Sequence, residues 1–489
     1  MNKILLYAVS LISVLMMGCI NDVLETPVTP ENEINDFVWQ GMNSWYNWQS
    51  NVTDLADTKD DNQFEYNAFL NGYSEPEDLF DALLYDKGNT DRFSWIVDDY
   101  IVLNNAFQGI SVSFGMRLQA VIINANDDII FYVRYVAPDS PASDAGIKRG
   151  DIINALDGVI LNNSTYSTTV SKLDNETVTF SFVSEDGGIL TPIEDKTITA
   201  IELNEDPVHF KKVFDDINGK KVGYLVYNGF RSSYNDELNE AFAFFQAEGV
   251  NELVLDLRLN GGGSVLTSAY LASMIYANAG NEVFAQLNFN QKHSNENDNY
   301  NFENTLNIYN VSGNKTGEEP INRLNMIDRL YVLTSGSTAS ASEMIINGLK
   351  AFIPVIVIGT TTYGKNVGSI TLYDSPSSDY TKESTANASH LYAMQPIVFQ
   401  IFNKLGQSDY TQGFTPDIEV KEYQFWNNIL PFGDENEVVL KAALDNIRGV
   451  SAKSWPTSKY KNMKVLEVKS LKNKFDKEMY LEQDHFQKE

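Results

Sequence analysis

The sequence predicts an α+β multidomain protein, and three observations carry that expectation. At 489 residues the chain exceeds what one hydrophobic core usually supports, about 250 to 300 residues. Between about 107 and 183 it consists of short β-type runs such as GISVSFGM, LQAVI and DIIFYVRYV. From about 197 onward, short apolar runs alternate with amphipathic stretches, the texture of strands feeding helices. With 36 basic and 66 acidic residues the net charge is −30, so long-range electrostatics oppose phosphate backbones and weigh against nucleic acid as a partner.

Taken in order, residues 1–18 read as a signal peptide. Lys3 is a thin basic region, and Ile4 to Met17 form an apolar stretch too short to span a bilayer comfortably. Met16-Met17-Gly18-Cys19 resembles a bacterial lipoprotein cleavage site, although Leu15 sits one place early. That resemblance implies lipidation of Cys19, export, and a membrane contact through the anchor in the bacterial envelope, at the outer membrane; an uncleaved anchor or ordinary secretion are the alternatives. Cys19 is the sole cysteine, which excludes an intrachain disulfide. Residues 19–33, polar with two prolines, suit a tether.

Residues 34–100 read as a helical subdomain. SEPEDLFDALLY places Leu79, Phe80, Leu83 and Leu84 at helical spacing, and Trp39, Trp45, Tyr46 and Trp48 read as core. Residues 106–196 read as a β-rich domain in which SPASDAGI is a short helix and Gly150-Asp151 turns into a strand, Ile152 to Leu156.

Residues 197–450 read as an α/β core. A strand from Val222 to Tyr227 precedes an amphipathic helix with apolar Leu238, Ala241, Phe244 and Phe245, stopped by Gly249. A buried strand, Leu253 to Leu257, then meets Gly261-Gly262-Gly263 and another helix. Gln286 to Glu319, rich in Asn and charge, reads as a partly mobile excursion. The run Tyr331 to Leu333 enters a loop holding Ser335, Ser337, Ser340 and Ser342 before a helix, and a second run, Pro354 to Gly359, leads to Lys365. A strand from Ala393 to Phe402 and a closing helix in ENEVVLKAALDNIRG complete the core, and residues 451–489 read as a loose charged tail.

A serine becomes a nucleophile when one group removes its proton and another stabilises the oxyanion on the attacked carbonyl. A strand-to-helix junction suits both needs, because free N–H groups and the helix dipole favour negative charge there. With Ser340 at the helix start, the Ala341 N–H is one oxyanion donor, and the glycine turn could give a second. None of His209, His293, His390 and His485 sits in a motif with a nearby acid or serine. Lys365, after an apolar run, is the better base, since a lysine accepts a proton only where desolvation lowers its pKa toward neutrality. Taken singly these signals are weak: Ser, Thr and Ala before a helix more often cap and pack, a triple glycine is more often a turn, and Asp256 with Arg258 reads as a structural pair.

Three ordered motifs give a stronger signal together. Ser337-Thr338-Ala339-Ser340-Ala341-Ser342-Glu343, Thr362-Tyr363-Gly364-Lys365-Asn366 and Leu255-Asp256-Leu257-Arg258-Leu259-Asn260-Gly261-Gly262-Gly263, followed by GFTPDIEV from Gly413 to Val420, resemble the carboxyl-terminal processing peptidases, the tail-specific serine proteases. The resemblance spans roughly Asp78 to Ile447. It implies Ser340 as nucleophile, Lys365 as base, and Gly262 and Ala341 as the oxyanion hole. It implies a ClpP/crotonase-like α/β protease core with an inserted PDZ domain and an N-terminal helical subdomain.

Ser140-Pro141-Ala142, Ala145-Gly146-Ile147, Gly150-Asp151 and Gly158 are similar to the PDZ domains of secreted bacterial proteases. On that likeness the loop Gln108 to Phe114, with Gly109, Ile110 and Phe114, would receive a peptide carboxylate. Ser369 stands where many members carry a lysine-orienting glutamine, and Asn366 replaces a glycine; Ser369 or Glu343 could hold the ammonium instead. The expected activity is serine endopeptidase hydrolysis through an acyl-enzyme, with PDZ recruitment of peptide or protein substrates and no metal or organic cofactor. A catalytically weak peptide- or glycan-binding lipoprotein on the same scaffold, or an acyl hydrolase, are the other readings.

Overall fold

Two six-stranded sheets with helices between them position the site. The computed structural model describes residues 33–450 except 125, 126, 279 and 326, and beyond them 458, 460, 463–468, 475, 477–482 and 485–487. The expected signal peptide, Cys19 and nearly all of the tether lie outside the described residues. Among the described residues no helix is long and apolar enough to cross a membrane.

The runs ELVLD, LYVLT and VIVIG are apolar almost throughout, which is what parallel strands covered on both faces require. They form Glu252–Asp256, Leu330–Thr334 and Val355–Gly359. The first sheet runs Val208–Ile217, Lys220–Tyr227, Glu252–Asp256, Leu330–Thr334, Val355–Gly359, Ile418–Glu419, parallel except for its first pair. The closing helix Val438–Ile447 covers one face. Helices Asn235–Glu248, Val265–Ile275 and Ala341–Leu349 cover the other and share one core with the second sheet. That sheet runs Gly263–Ser264, Met479–Tyr480, Val367–Ser369, Ile397–Asn403, Val283–Phe289, Asp298–Asn301.

Several expectations change in detail. Helix Asn235–Glu248 ends where left-handed Gly249 follows, as expected, but its buried stripe is Leu238, Ala241, Phe242 and Phe245, while Phe244 is exposed. The expected strand 393–402 is two strands, Ala393–Gln395 and Ile397–Asn403, in different sheets. Pro396 between them has no N–H for a ladder. The Asn-rich stretch is ordered: Val283–Phe289 and Asp298–Asn301 pair in the second sheet, and Thr305–Tyr309 pairs with Lys315–Pro320. Its apolar residues Leu287, Phe289, Phe302 and Leu306 are buried.

The expected loose tail is also ordered in part. Lys464–Leu466 and Met479–Tyr480 are strands, and the Phe486 ring packs edge-on against Trp45. Its few apolar residues find partners far away in the chain, which local charge content does not reveal.

At the N-terminus, Glu33–Trp45, Gln63–Leu70 and Pro76–Ala82 are helices. Trp39, Trp45 and Tyr46 are buried, as expected, in the same core as the two sheets. Helix Tyr100–Phe107 leads into a β-rich body with its own core. Its strands Met116–Ile122, Ile129–Val136, Ile152–Leu156, Thr177–Asp186 and Ile189–Thr199 form an antiparallel sheet. Ser140 caps the short helix Pro141–Asp144 by accepting from the Ser143 N–H.

Candidate active site

The serine loop leaves strand Leu330–Thr334 and enters helix Ala341–Leu349 at Ser340. Of its four serines, three are committed. Ser335 Oγ donates to Arg258 O at 2.6 Å, Ser337 Oγ accepts from Arg134, and Ser342 Oγ donates to Asn260 O at 3.0 Å. Ser340 Oγ is buried without a hydrogen-bond partner among the described residues. Ser340 also adopts φ 64, ψ −120, a conformation that costs a non-glycine residue about 1–3 kcal/mol and persists only where neighbours over-determine it.

Glu343 supplies that constraint. One turn into the helix, its carboxylate accepts from the backbone N–H groups of Ser340, Gly364 and Lys365 at 3.0, 2.8 and 2.8 Å, and from Thr362 Oγ1 at 2.5 Å. Burial pushes its carboxyl above the usual range, although these four donors pull the other way. The Tyr363 N–H donates to Thr338 O at 2.9 Å, so the serine and lysine loops are tied backbone to backbone. Glu343, one of the two residues expected at the Lys365 ammonium, accepts from the Lys365 main-chain N–H instead.

The ammonium has other partners. Lys365 is buried, and its Nζ donates to Glu478 Oε2 at 3.0 Å and to Lys477 O at 2.9 Å. Trp95 Nε1 holds the other Glu478 oxygen at 3.0 Å. Ser369 also departs from the expectation: its Oγ donates to Met479 O at 3.2 Å rather than touching Lys365.

Gly262 departs as well. Its N–H donates to Asn260 Oδ1 at 2.9 Å and so is not free to meet an oxyanion. The amide that points to a carbonyl is that of Gly263, which donates to Glu478 O at 2.6 Å. A Cβ on Gly262, which sits at φ +114, would lie 2.6 Å from both Glu478 O and Ser340 Cβ, so glycine is what lets the turn, the serine and a peptide carbonyl meet. Ala341 is the first helical residue, and its N–H faces the serine end with no intrahelical acceptor.

Asn260, Glu478 and Arg134 were not singled out from the sequence. Asn260 pins the turn: besides Gly262, its Nδ2 reaches Tyr227 O and its carbonyl takes the Ala339 N–H. An Asn just before a glycine run, able to close an Asx turn, was the available signal. No local signal marks Glu478.

Below the serine loop lies a buried charge cluster that includes the pair Asp256 and Arg258. Arg258 meets Asp256 at 2.6 Å, Glu422 at 2.8 Å and Glu437 at 2.9 Å. From the β-rich body, Arg149 meets Glu422 at 2.5 Å, and Arg134 reaches Arg258 O, Ser335 Oγ and Ser337 Oγ. Burial would raise the Glu422 carboxyl, but Arg149, Arg258 and Arg134 outweigh it and hold it well below the usual range.

A cavity of about 430 Å³ opens between the β-rich body and the glycine turn, lined by Gly261, Gly262, Arg231, Tyr135, Gly109 and Ile110 among others. Gly109 and Ile110 therefore face this cavity and not a free peptide-receiving loop: Ile110–Ser113 is paired along its length with Ile201–Asn204. Phe114 lies in the core of the β-rich body, edge-on to Phe180.

Residues 221–420 match the profile of Peptidase family S41, and residues 33–95 match the Peptidase S41 N-terminal domain. A carboxyl-terminal-processing protease of Picosynechococcus sp. is 28% identical over 269 residues, 52% of this chain and 54% of that protein. A carboxy-terminal-processing protease of Bartonella bacilliformis is 28% identical over 240 residues, 48% of this chain and 49% of that one. The chain thus spans about half the length of the curated relatives it matches. A crystal structure from Bacteroides fragilis NCTC 9343, of a protein assigned to the S41 proteases, superimposes with a TM-score of 0.64 at 27% identity, covering 85% of this chain and 97% of that one. With both profiles in chain order, and with the α/β core they share around the serine and lysine loops, the chain belongs to peptidase family S41, the family of the carboxyl-terminal processing proteases.

Proposed function

We propose that the chain is a serine endopeptidase in which Ser340 is the nucleophile and Lys365 the general base. The observation that carries this reading is the uncommitted, buried Ser340 hydroxyl at a strained helix start, tied through Glu343 to the main chain of Lys365. In the reaction a neutral Lys365 takes the Ser340 proton as Oγ attacks the substrate carbonyl. The Gly263 and Ala341 N–H groups receive the oxyanion. Lys365 then gives its proton to the leaving amine, and the acyl ester on Ser340 is hydrolysed by a water that the same lysine activates.

The β-rich body is read as a PDZ domain that recruits substrate, with Met116–Ile122 as the edge to which a peptide strand adds. The whole is read as exported and anchored through a lipidated Cys19 to the envelope.

Cleavage of casein by the full chain, Ser340→Ala and Lys365→Ala tests the catalytic reading. Loss of cleavage in both variants is the expected result, and wild-type cleavage no faster than theirs overturns it in favour of a binding protein on a peptidase scaffold. Incorporation of labelled palmitate that survives Cys19→Ala would overturn the anchor.

A further inference from the structure

Two peptide-accepting edges of this molecule are filled, and one C-terminal segment fills both. On the β-rich body, Lys464–Leu466 adds antiparallel to strand Met116–Ile122, pairing Lys464 with Ile122 and Leu466 with Ala120. Leu466 and Val468 pack against the core of that body, Gln119 Nε2 donates to Leu466 O at 3.1 Å, and Tyr166 Oη donates to Glu467 O at 2.7 Å. This is strand addition, in which main-chain hydrogen bonds hold the peptide and side-chain pockets select it.

In the core, Met479–Tyr480 lies between Gly263–Ser264 and Val367–Ser369, and the preceding Glu478 carbonyl meets the glycine turn where a Gly262 Cβ would also touch Ser340 Cβ. Tyr480 stacks on Phe107 at 4.1 Å, and Met479 is fully buried. The Glu478 carbonyl takes the Gly263 N–H, and its carboxylate takes the Lys365 ammonium.

We propose that residues 464–468 and 477–482 are an intramolecular ligand of the substrate sites, and that Glu478 is the latch that keeps the peptidase latent. The proposal rests on the Ser340/Lys365 reading. Its physical content is a competition for three groups. A substrate needs the Gly263 amide for its carbonyl, the strand position beside Ser369 for its backbone, and a Lys365 free to take a proton. The segment occupies all three. The Lys365 Nζ spends its hydrogen bonds on Glu478 Oε2 and Lys477 O and makes none to Ser340 Oγ. The ligand class that follows is an extended peptide with an acidic residue at the place of Glu478 and apolar residues directly after it.

The test uses the full chain. The rate at which a peptidyl phosphonate diester labels Ser340 is read by mass spectrometry in the wild type, Glu478→Gln, Leu466→Asp and, as the unlabelled control, Ser340→Ala. Hydrogen exchange at Gly263 and over Met116–Ile122 is read in parallel. Glu478→Gln is expected to label about tenfold faster or more, as the open population grows, with faster exchange at Gly263. Leu466→Asp is expected to speed exchange over Met116–Ile122 and labelling in the same direction.

Labelling of folded Glu478→Gln at or below the wild-type rate overturns the proposal and makes Glu478 a positioning residue for Lys365. Labelling in none of the proteins, with exchange still faster in Glu478→Gln, sinks the peptidase reading while the intramolecular ligand stands; unchanged exchange sinks the ligand itself. If Glu478→Gln fails to fold, Trp95→Phe, which removes the second hold on the carboxylate and keeps an aromatic ring against Phe475, is read in its place with the same directions.

Discussion

Two buried charge sites among the described residues are built on opposite plans. Beneath the serine loop, three arginines face three carboxylates, and Arg258 alone meets Asp256, Glu422 and Glu437. Beside the serine, one lysine faces one carboxylate, Glu478, on a strand of only two residues, Met479–Tyr480. A guanidinium in a fork of several carboxylates holds its geometry through many directional bonds, and losing any one leaves the rest. A lone ammonium pair is held or lost as a unit. The first plan suits a joint that must stay shut, here between the β-rich body and the core, and the second suits a contact that can be exchanged for another.

The largest expected effect comes from breaking the cluster. Arg258→Met leaves three carboxylates facing two arginines in a dry site and should cost about 3–5 kcal/mol, read as a large drop in the unfolding midpoint. Glu478→Gln should cost far less by the same measurement, and equal losses would erase the distinction between the two sites.

A smaller effect should come from pH. His209 lies edge-on between the Tyr135 and Phe432 rings, at the joint. Burial first, and then Arg149, lower its imidazole to about 4 from an ordinary value near 6.5. The folded state therefore binds the proton less readily than the unfolded one, so the stabilising contribution is complete above pH 6.5 and is lost as the pH falls toward 4. The loss should be on the order of 3 kcal/mol, and His209→Phe should flatten stability across that window; an unchanged slope would remove His209 from the account. The smallest effect is expected at the surface. Lys220→Ala breaks an exposed, solvent-screened pair with Asp328 and should leave the unfolding midpoint essentially unmoved, a baseline for the buried substitutions.

Sequence periodicity located the parallel strands because they are apolar on both faces, and the stop at Gly249 because only a left-handed residue fits there. It misplaced Phe244 for Phe242: the stripe Leu238, Ala241, Phe242 and Phe245 follows the i, i+3, i+4, i+7 spacing, and Phe244 lies off it. At the site, the serine and lysine loops were legible because their chemistry is local: a helix start, small residues and a glycine. Which glycine amide is engaged was not legible: Asn260 Oδ1 takes the Gly262 N–H, and the Gly263 N–H meets the Glu478 carbonyl. The role of Glu343 also shifted, from the ammonium to the backbone, because backbone N–H direction is a property of the folded loop.

By itself the sequence determined the order of the elements, the family motifs, and Ser340 and Lys365 as the residues to watch. Those follow from periodicity and residue chemistry within short windows. Only the tertiary structure decided that Lys365 meets Glu478, that Ser369 meets Met479, and that a segment composed like a solvated tail runs as a central strand beside the serine. Such pairings join residues more than a hundred positions apart, and a strand of two or three residues carries no periodicity from which they could be read.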